Sequence, residues 1–155
     1  MKKLLVLMVS AALLATTAVA QDEADSQKEA RAALKFRQSL FQLIRSNMGA
    51  LGAMAKGNAP FDAAVMEKNG MRIEQLSLMI EDYMATDTRK YKLDTEALDK
   101  IWEQPEAFSE KVAALTSAAQ NLQAVAKAGD ESKFRAAIGG VGRTCKGCHD
   151  DFKAD

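Results

Sequence analysis

Reactive side chains are scarce in this 155-residue chain, which has two cysteines, one histidine, one tryptophan and two prolines. A lone histidine rules out any site that needs two imidazoles, and two cysteines cannot build the multi-bridge framework of a small secreted disulfide scaffold. Acidic and basic residues balance at 21 each. With no basic stripe to grip a phosphate backbone, nucleic acid is not an expected partner. β-Branched and aromatic residues never gather into alternating runs, so no strand is predicted. Only Pro60 and Pro105 interrupt a chain rich in Ala, Leu, Met, Lys, Glu and Gln, which predicts an all-α fold.

What chemistry there is lies together. Cys145-Lys146-Gly147-Cys148-His149 holds both cysteines and the only histidine, a pattern that reads as covalent c-type haem attachment. Residues three apart share a helix face, so both thiols can form thioethers to one edge of the same macrocycle. The adjacent imidazole can then offer a neutral nitrogen to the iron as an axial ligand. One haem c per chain is expected, with Cys145 and Cys148 covalent and His149 on the metal. A Cys145–Cys148 disulfide is the competing reading in an oxidising compartment. A thioredoxin-like pair would want a βαβ setting, and a zinc site would want four ligands.

The beginning of the chain agrees with its end. Lys2 and Lys3, the apolar run Leu4 to Leu14 and Ala18-Val19-Ala20 have the layout of a secretory signal peptide over residues 1–20, with cleavage expected before Gln21. A membrane anchor, the alternative, would need a longer apolar span. Covalent haem attachment in bacteria takes place outside the cytoplasm, so a periplasmic address is expected. The mature chain, 21–155, has 19 basic against 21 acidic residues. It suits one domain that does not enter a membrane.

Apolar spacing predicts four helices. The first runs from about Ser26 to Ala55, with Leu34, Phe41 and Met48 seven apart beside Leu40, Ile44 and Leu51, and stops at Gly57. The second starts at Pro60 and Asp62 and carries Met66, Ile73, Leu76, Ile80 and Tyr83, with Asn69 and Gly70 weakening its middle. Residues 84–96 read as a long connection ending in a short turn through Leu98, Ile101 and Trp102. A third helix runs from Pro105 to Gly129 with Phe108, Val112, Leu115, Leu122 and Val125 inward. Asp130 caps a fourth, on which Phe134, Ile138, Val141, Cys145, Cys148 and Phe152 share a face. Gly139, Gly140, Gly142 and Gly147 each cost this helix about 1 kcal/mol relative to Ala, as expected if a ring approaches the backbone; a looped segment there is the other reading.

Short connections favour an antiparallel up-down-up-down four-helix bundle, which puts the end of the fourth helix near the start of the first. The facing window, Leu34 to Ile44, has no His, Met or Cys. Met48 is the nearest residue able to complete a six-coordinate His/Met centre of the electron-transfer kind, although its spacing suits core filling better. Peroxidase-type catalysis would need distal polar groups that this window lacks.

The attachment motif, Phe36-Arg37-Gln38-Ser39 in the first helix, Ile101-Trp102 and Ala128-Gly129-Asp130 make residues 25–155 similar to the cytochromes c′. The resemblance implies a non-enzymatic, five-coordinate, high-spin haem protein with His149 proximal and Phe41 over the vacant distal face. Family members bind nitric oxide and often carbon monoxide, and many are homodimers. Arg37 matches a basic residue beside a haem propionate, where a cation would offset the carboxylate. Lys153 stands where relatives often have arginine near the proximal side. The redox partner is not implied.

Cys145→Ala or Cys148→Ala removes one thioether sulfur, so haem staining of the chain on denaturing gels should fall sharply in either variant. Staining equal to the parent's would contradict the attachment reading.

Overall fold

In a computed structural model, residues 22–154 are described; the expected signal peptide, 1–20, and Gln21 lie outside them. The chain forms helices α1 (Gln27–Ala55), α2 (Ala63–Ser77), α3 (Ile80–Met84), α4 (Lys100–Glu103), α5 (Pro105–Ala128) and α6 (Glu131–Phe152). The four long ones, α1, α2, α5 and α6, close a ring of neighbours in which α5 packs extensively on both α2 and α6, while α1 meets α6 over a shorter stretch. Lys111 of α5 pairs with Asp151 at the end of α6 (2.7 Å), and Lys127 at the end of α5 with Glu67 at the start of α2 (3.5 Å). Those two ion pairs require α5 to run antiparallel to both. The fold is the expected all-α antiparallel bundle.

The helix starts expected at Ser26, Asp62 and Asp130 are each capped by that side chain. Ser26 accepts the Glu29 amide N–H (3.2 Å) at the start of α1, Asp62 accepts that of Val65 (3.0 Å) at α2, and Asp130 accepts that of Ser132 (3.2 Å) at α6. Pro105 sits in the first turn of α5, where a missing N–H costs nothing. Gly129 ends that helix at φ 69°, a left-handed position that a side chain would strain. Leu40, Ile44, Leu51, Met66, Ile73, Leu115, Leu122, Phe134, Ile138 and Val141 are buried in one continuous core. Phe108 meets Phe152 edge to face at 5.3 Å, locking the start of α5 against the end of α6.

Three expectations are corrected. Helix two does not run unbroken to Tyr83: it stops at Ser77 and restarts as α3 after Leu78 and Met79, both exposed. A strand pair exists, although only two residues long: β1 (Asp22–Glu23) lies parallel to β2 (Thr86–Asp87). It is set by backbone hydrogen bonds from Asp22 to Ala85 (3.2 Å) and from Ala24 to Asp87 (2.9 Å), which leave no alternating pattern in the sequence. Asn69 and Gly70 do not weaken α2. Both are buried, Asn69 donates its side-chain amide to the Asn47 carbonyl of α1 (3.1 Å), and Gly70 lets α2 approach α5 closely.

The connection from Ala85 to Asp99 ties together the first and last of the described residues. Its first part holds β1, and its last part pairs Ala97 with Lys153, with Leu98 N–H on the Phe152 carbonyl (3.0 Å) and Ala154 N–H on that of Glu96 (2.7 Å). The start of α1 and the end of α6 therefore meet at one end of the bundle, as the topology predicts.

A Cβ at position 70 would lie 2.9 Å from the Gln123 Cγ and 3.2 Å from the Ala119 carbonyl oxygen. Gly70→Ala should therefore destabilise the protein by about 2 kcal/mol through overpacking, despite the better helix propensity of alanine. An unchanged or raised thermal midpoint would show that the α2–α5 gap can open without strain.

Candidate haem site

α6 is unbroken from Glu131 to Phe152, so the looped reading of its glycine-rich part fails. Arg143 folds its guanidinium back over two of those glycines: a Cβ would lie 3.2 Å from it at Gly139 and 3.8 Å at Gly140, whereas nothing stands within 4 Å at Gly142 or Gly147. Continuity matters because it holds Cys145 and Cys148 one turn apart on the side that carries Val141 and Phe152 into the core.

Both thiols are half-buried, pack against the core and form no disulfide. Burial pushes both up from the ordinary thiol range, a shift that the nearby Lys111 ammonium partly offsets at Cys148. His149 lies off the core stripe and is exposed, so its ring is free to turn toward a ligand. One turn of helix thus supplies two sulfurs and one imidazole. Among the described residues no group of three His, Cys, Asp or Glu side chains could hold a bare metal ion, and this donor set fits a macrocycle that brings its own four nitrogens.

Arg37 supplies a second fit. Its side chain is only 4% exposed, yet no carboxylate receives a hydrogen bond from it. Nε donates to the Tyr83 carbonyl (2.8 Å), Nη1 to Thr88 Oγ1 (3.0 Å) and Nη2 to the Thr86 carbonyl, while the guanidinium carbon stands 5.1 Å from the centre of the Trp102 ring. Desolvation pulls its pKa down to about 10, and Asp87 only partly opposes the shift. That carboxylate is engaged by Arg89 at 2.6 Å, which holds Asp87 below the usual carboxylate range. A buried cation with neutral partners is costly. Three of the five guanidinium N–H groups are used, and the remainder could take an anion such as a haem carboxylate.

Thr88 and Trp102, which hold Arg37, also line a cleft of about 260 Å³ together with Arg89, Tyr91, Lys92, Leu93, Ala97 and Asp99, and Arg37 stands behind that wall. Ala97 connects this cleft to the end of α6 through its pairing with Lys153. The connection therefore brings the Arg37 end of α1 and the end of α6 to one region. Thr88 and Trp102 are the members of this region whose roles pattern reasoning missed; a tryptophan alone in the chain was the available signal.

The other predicted residues fall as follows. Phe41 follows Arg37 by one turn and is 39% exposed, off the core stripe formed by Leu40, Ile44 and Leu51. Met48 is partly buried and packs on the core. Lys153 donates its backbone N–H to the His149 carbonyl (3.1 Å), but its backbone is extended rather than helical, and its ammonium pairs with Glu96 at 3.0 Å. Lys153 closes the last turn of α6 over His149, and from there residues 96–98 take up the chain.

A family model for cytochrome c′ matches residues 32–153. Cytochrome c′ of Rubrivivax gelatinosus is 38% identical over 121 residues, covering 78% of this chain and 93% of that protein. Cytochrome c-554 of Cereibacter sphaeroides is 30% identical over 155 residues, covering 99% and 98%. Among solved structures, cytochrome c prime from Shewanella frigidimarina superposes with a TM-score of 0.74 at 38% identity, covering 84% of this chain and all of that one. A nitric oxide complex of a mutant cytochrome c prime from Alcaligenes xylosoxidans gives 0.71 at 34% identity, covering 81% and 97%. The family carries covalently attached haem c, and this chain has the two cysteines for it. The protein is a member of the cytochrome c′ family.

Proposed function

We propose that this chain is a periplasmic, non-enzymatic haem protein that binds nitric oxide, and also carbon monoxide, at a five-coordinate iron. The observation that carries the reading is the pairing of the single imidazole, His149, with two unpaired, half-buried thiols at the end of an unbroken helix. A distal window without a soft or imidazole ligand supports it, as does the nitric oxide complex of the Alcaligenes xylosoxidans relative. Haem c, when bound, would be held by Cys145, Cys148 and His149 and would supply an iron able to take up a diatomic ligand.

Each residue then has a task set by its place. Cys145 and Cys148 fix the macrocycle to α6, so the ring cannot dissociate when the axial bond is weakened. His149 gives a neutral nitrogen to the iron from the exposed side of the helix. Phe41 covers the opposite face with a rigid apolar ring that excludes water and bulky ligands. Arg37 offsets a propionate from its buried position on α1. Lys153 places a cation near the proximal side from its anchor on Glu96 rather than from the helix. Met48 is a core residue of α1 in this reading, not the sixth ligand.

The chain also forms a homodimer in this reading. Leu43 and Met71 are 54% and 44% exposed on α1 and α2, and they flank a groove of about 520 Å³ between those helices, with Asn47, Arg72 and Leu76 in its lining. A second copy would cover these apolar side chains, as the family resemblance implies. Sedimentation should show a dimer that Met71→Glu shifts to monomer; a monomeric parent protein would remove the dimer from the proposal.

The absorption spectrum of the purified, reduced protein tests the main reading. A broad high-spin Soret band that moves on adding carbon monoxide or nitric oxide is expected. Sharp low-spin bands indifferent to both gases would mean a sixth protein ligand and favour the His/Met alternative. Phe41→Ala should speed carbon monoxide association by at least about tenfold, since losing the ring leaves a cavity beside the iron; an unchanged rate would place the gate at another residue.

A further inference from the structure

Arg37 is held more firmly than a partner for one exposed carboxylate needs to be. A long side chain loses rotamer entropy when fixed, and a buried cation is commonly no more stabilising than apolar residues of the same volume. Here the guanidinium is fixed from several directions, by one carbonyl of α3 and one of β2, by the hydroxyl of Thr88 and by the face of Trp102. The two side chains in that set are themselves buried, at 5% and 7% exposed. Trp102 Nε1–H donates to the Met84 carbonyl (2.9 Å), so the ring is set by the same backbone segment that sets the cation. Thr88 and Trp102 also form part of the wall of the cleft that Ala97 links to the end of α6.

We propose that Thr88 and Trp102 are positioning residues that hold the Arg37 cation behind the wall of this cleft, close to a haem carboxylate, and so raise the reduction potential of the iron. The proposal rests on the reading of Arg37 as the propionate partner. A fixed positive charge near the haem favours the ferrous state, which carries one positive charge fewer than the ferric state, and its influence grows where water is excluded. Neither residue touches the iron. Their effect is on where the charge sits: Thr88 supplies an acceptor that fixes the rotation of the guanidinium plane, and Trp102 supplies the surface against which that plane lies. Asp87 does not replace them, since its carboxylate is engaged by Arg89.

The test is a spectroelectrochemical titration of the haem-loaded protein, with thermal denaturation and the Soret spectrum recorded on the same samples. Arg37→Gln should move the midpoint potential to a more negative value. Thr88→Val, which keeps the shape and removes the acceptor, should move it in the same direction by a smaller amount. Trp102→Leu should also lower it. In an Arg37→Gln background Thr88→Val should produce no further change, because the group it positions is gone. An unshifted potential in Arg37→Gln would overturn the propionate reading of Arg37, and the proposal with it. A shift in Arg37→Gln without one in Thr88→Val, or a Thr88→Val shift that adds in full to that of Arg37→Gln, would overturn the positioning role alone. A purely structural role would lower the thermal midpoint and leave the potential where it was. If Trp102→Leu fails to fold, the Thr88→Val pair of measurements still decides.

Discussion

The helical periodicity of α6 is the constraint on which the rest depends. Two sulfurs must reach one edge of one ring, and only an unbroken helix keeps Cys145 and Cys148 a turn apart on the same side while turning His149 away from the core. A helix with four glycines in nine residues does not hold that shape on propensity. It holds because Phe134, Ile138, Val141 and Phe152 are buried, most closely against α5, so tertiary packing replaces the propensity that the glycines remove. The edge-to-face pair of Phe108 and Phe152 and the Lys111–Asp151 ion pair bracket the attachment segment from the α5 side.

A second fixed point stands at the other side of the same end of the bundle. Arg37 draws the segment from Tyr83 to Thr88 against α1, and Trp102 fastens it from α4. The same segment pairs with the first described residues of the chain, and its continuation pairs with the last. Residues 84–99 are thus a strap rather than a spacer. Their order comes from backbone hydrogen bonds and one buried cation instead of a regular element, which is why a charged, proline-free, aperiodic stretch is nevertheless well placed. The membership of the chain in the cytochrome c′ family fits the two cysteines that α6 presents for covalent haem attachment.

Much of this was legible in the residues. The caps at Ser26, Asp62 and Asp130, the proline that opens α5 and the left-handed glycine that ends it are local events, and local chemistry predicts them. So does the inward face of α6. The misreadings share a cause. Gly70 and Asn69 looked like weak points because propensity is computed along one helix, while their value lies in what α5 and α1 do beside them. The β1–β2 pair leaves no pattern because backbone groups alone make it.

The sequence by itself determined the chemistry: two thiols and one imidazole at fixed spacing can do little else together, and their spacing has meaning in any helix. It also determined the helices, since periodicity and caps act over a few residues. The tertiary structure alone decided what would surround the buried charge. Helix spacing puts Arg37 on the stripe of Ala30, Ile44 and Leu51, but only the return of the chain 46 to 51 residues later supplies its acceptors. Spacing is encoded locally, whereas the partners of a buried cation come from distant segments that only folding brings together.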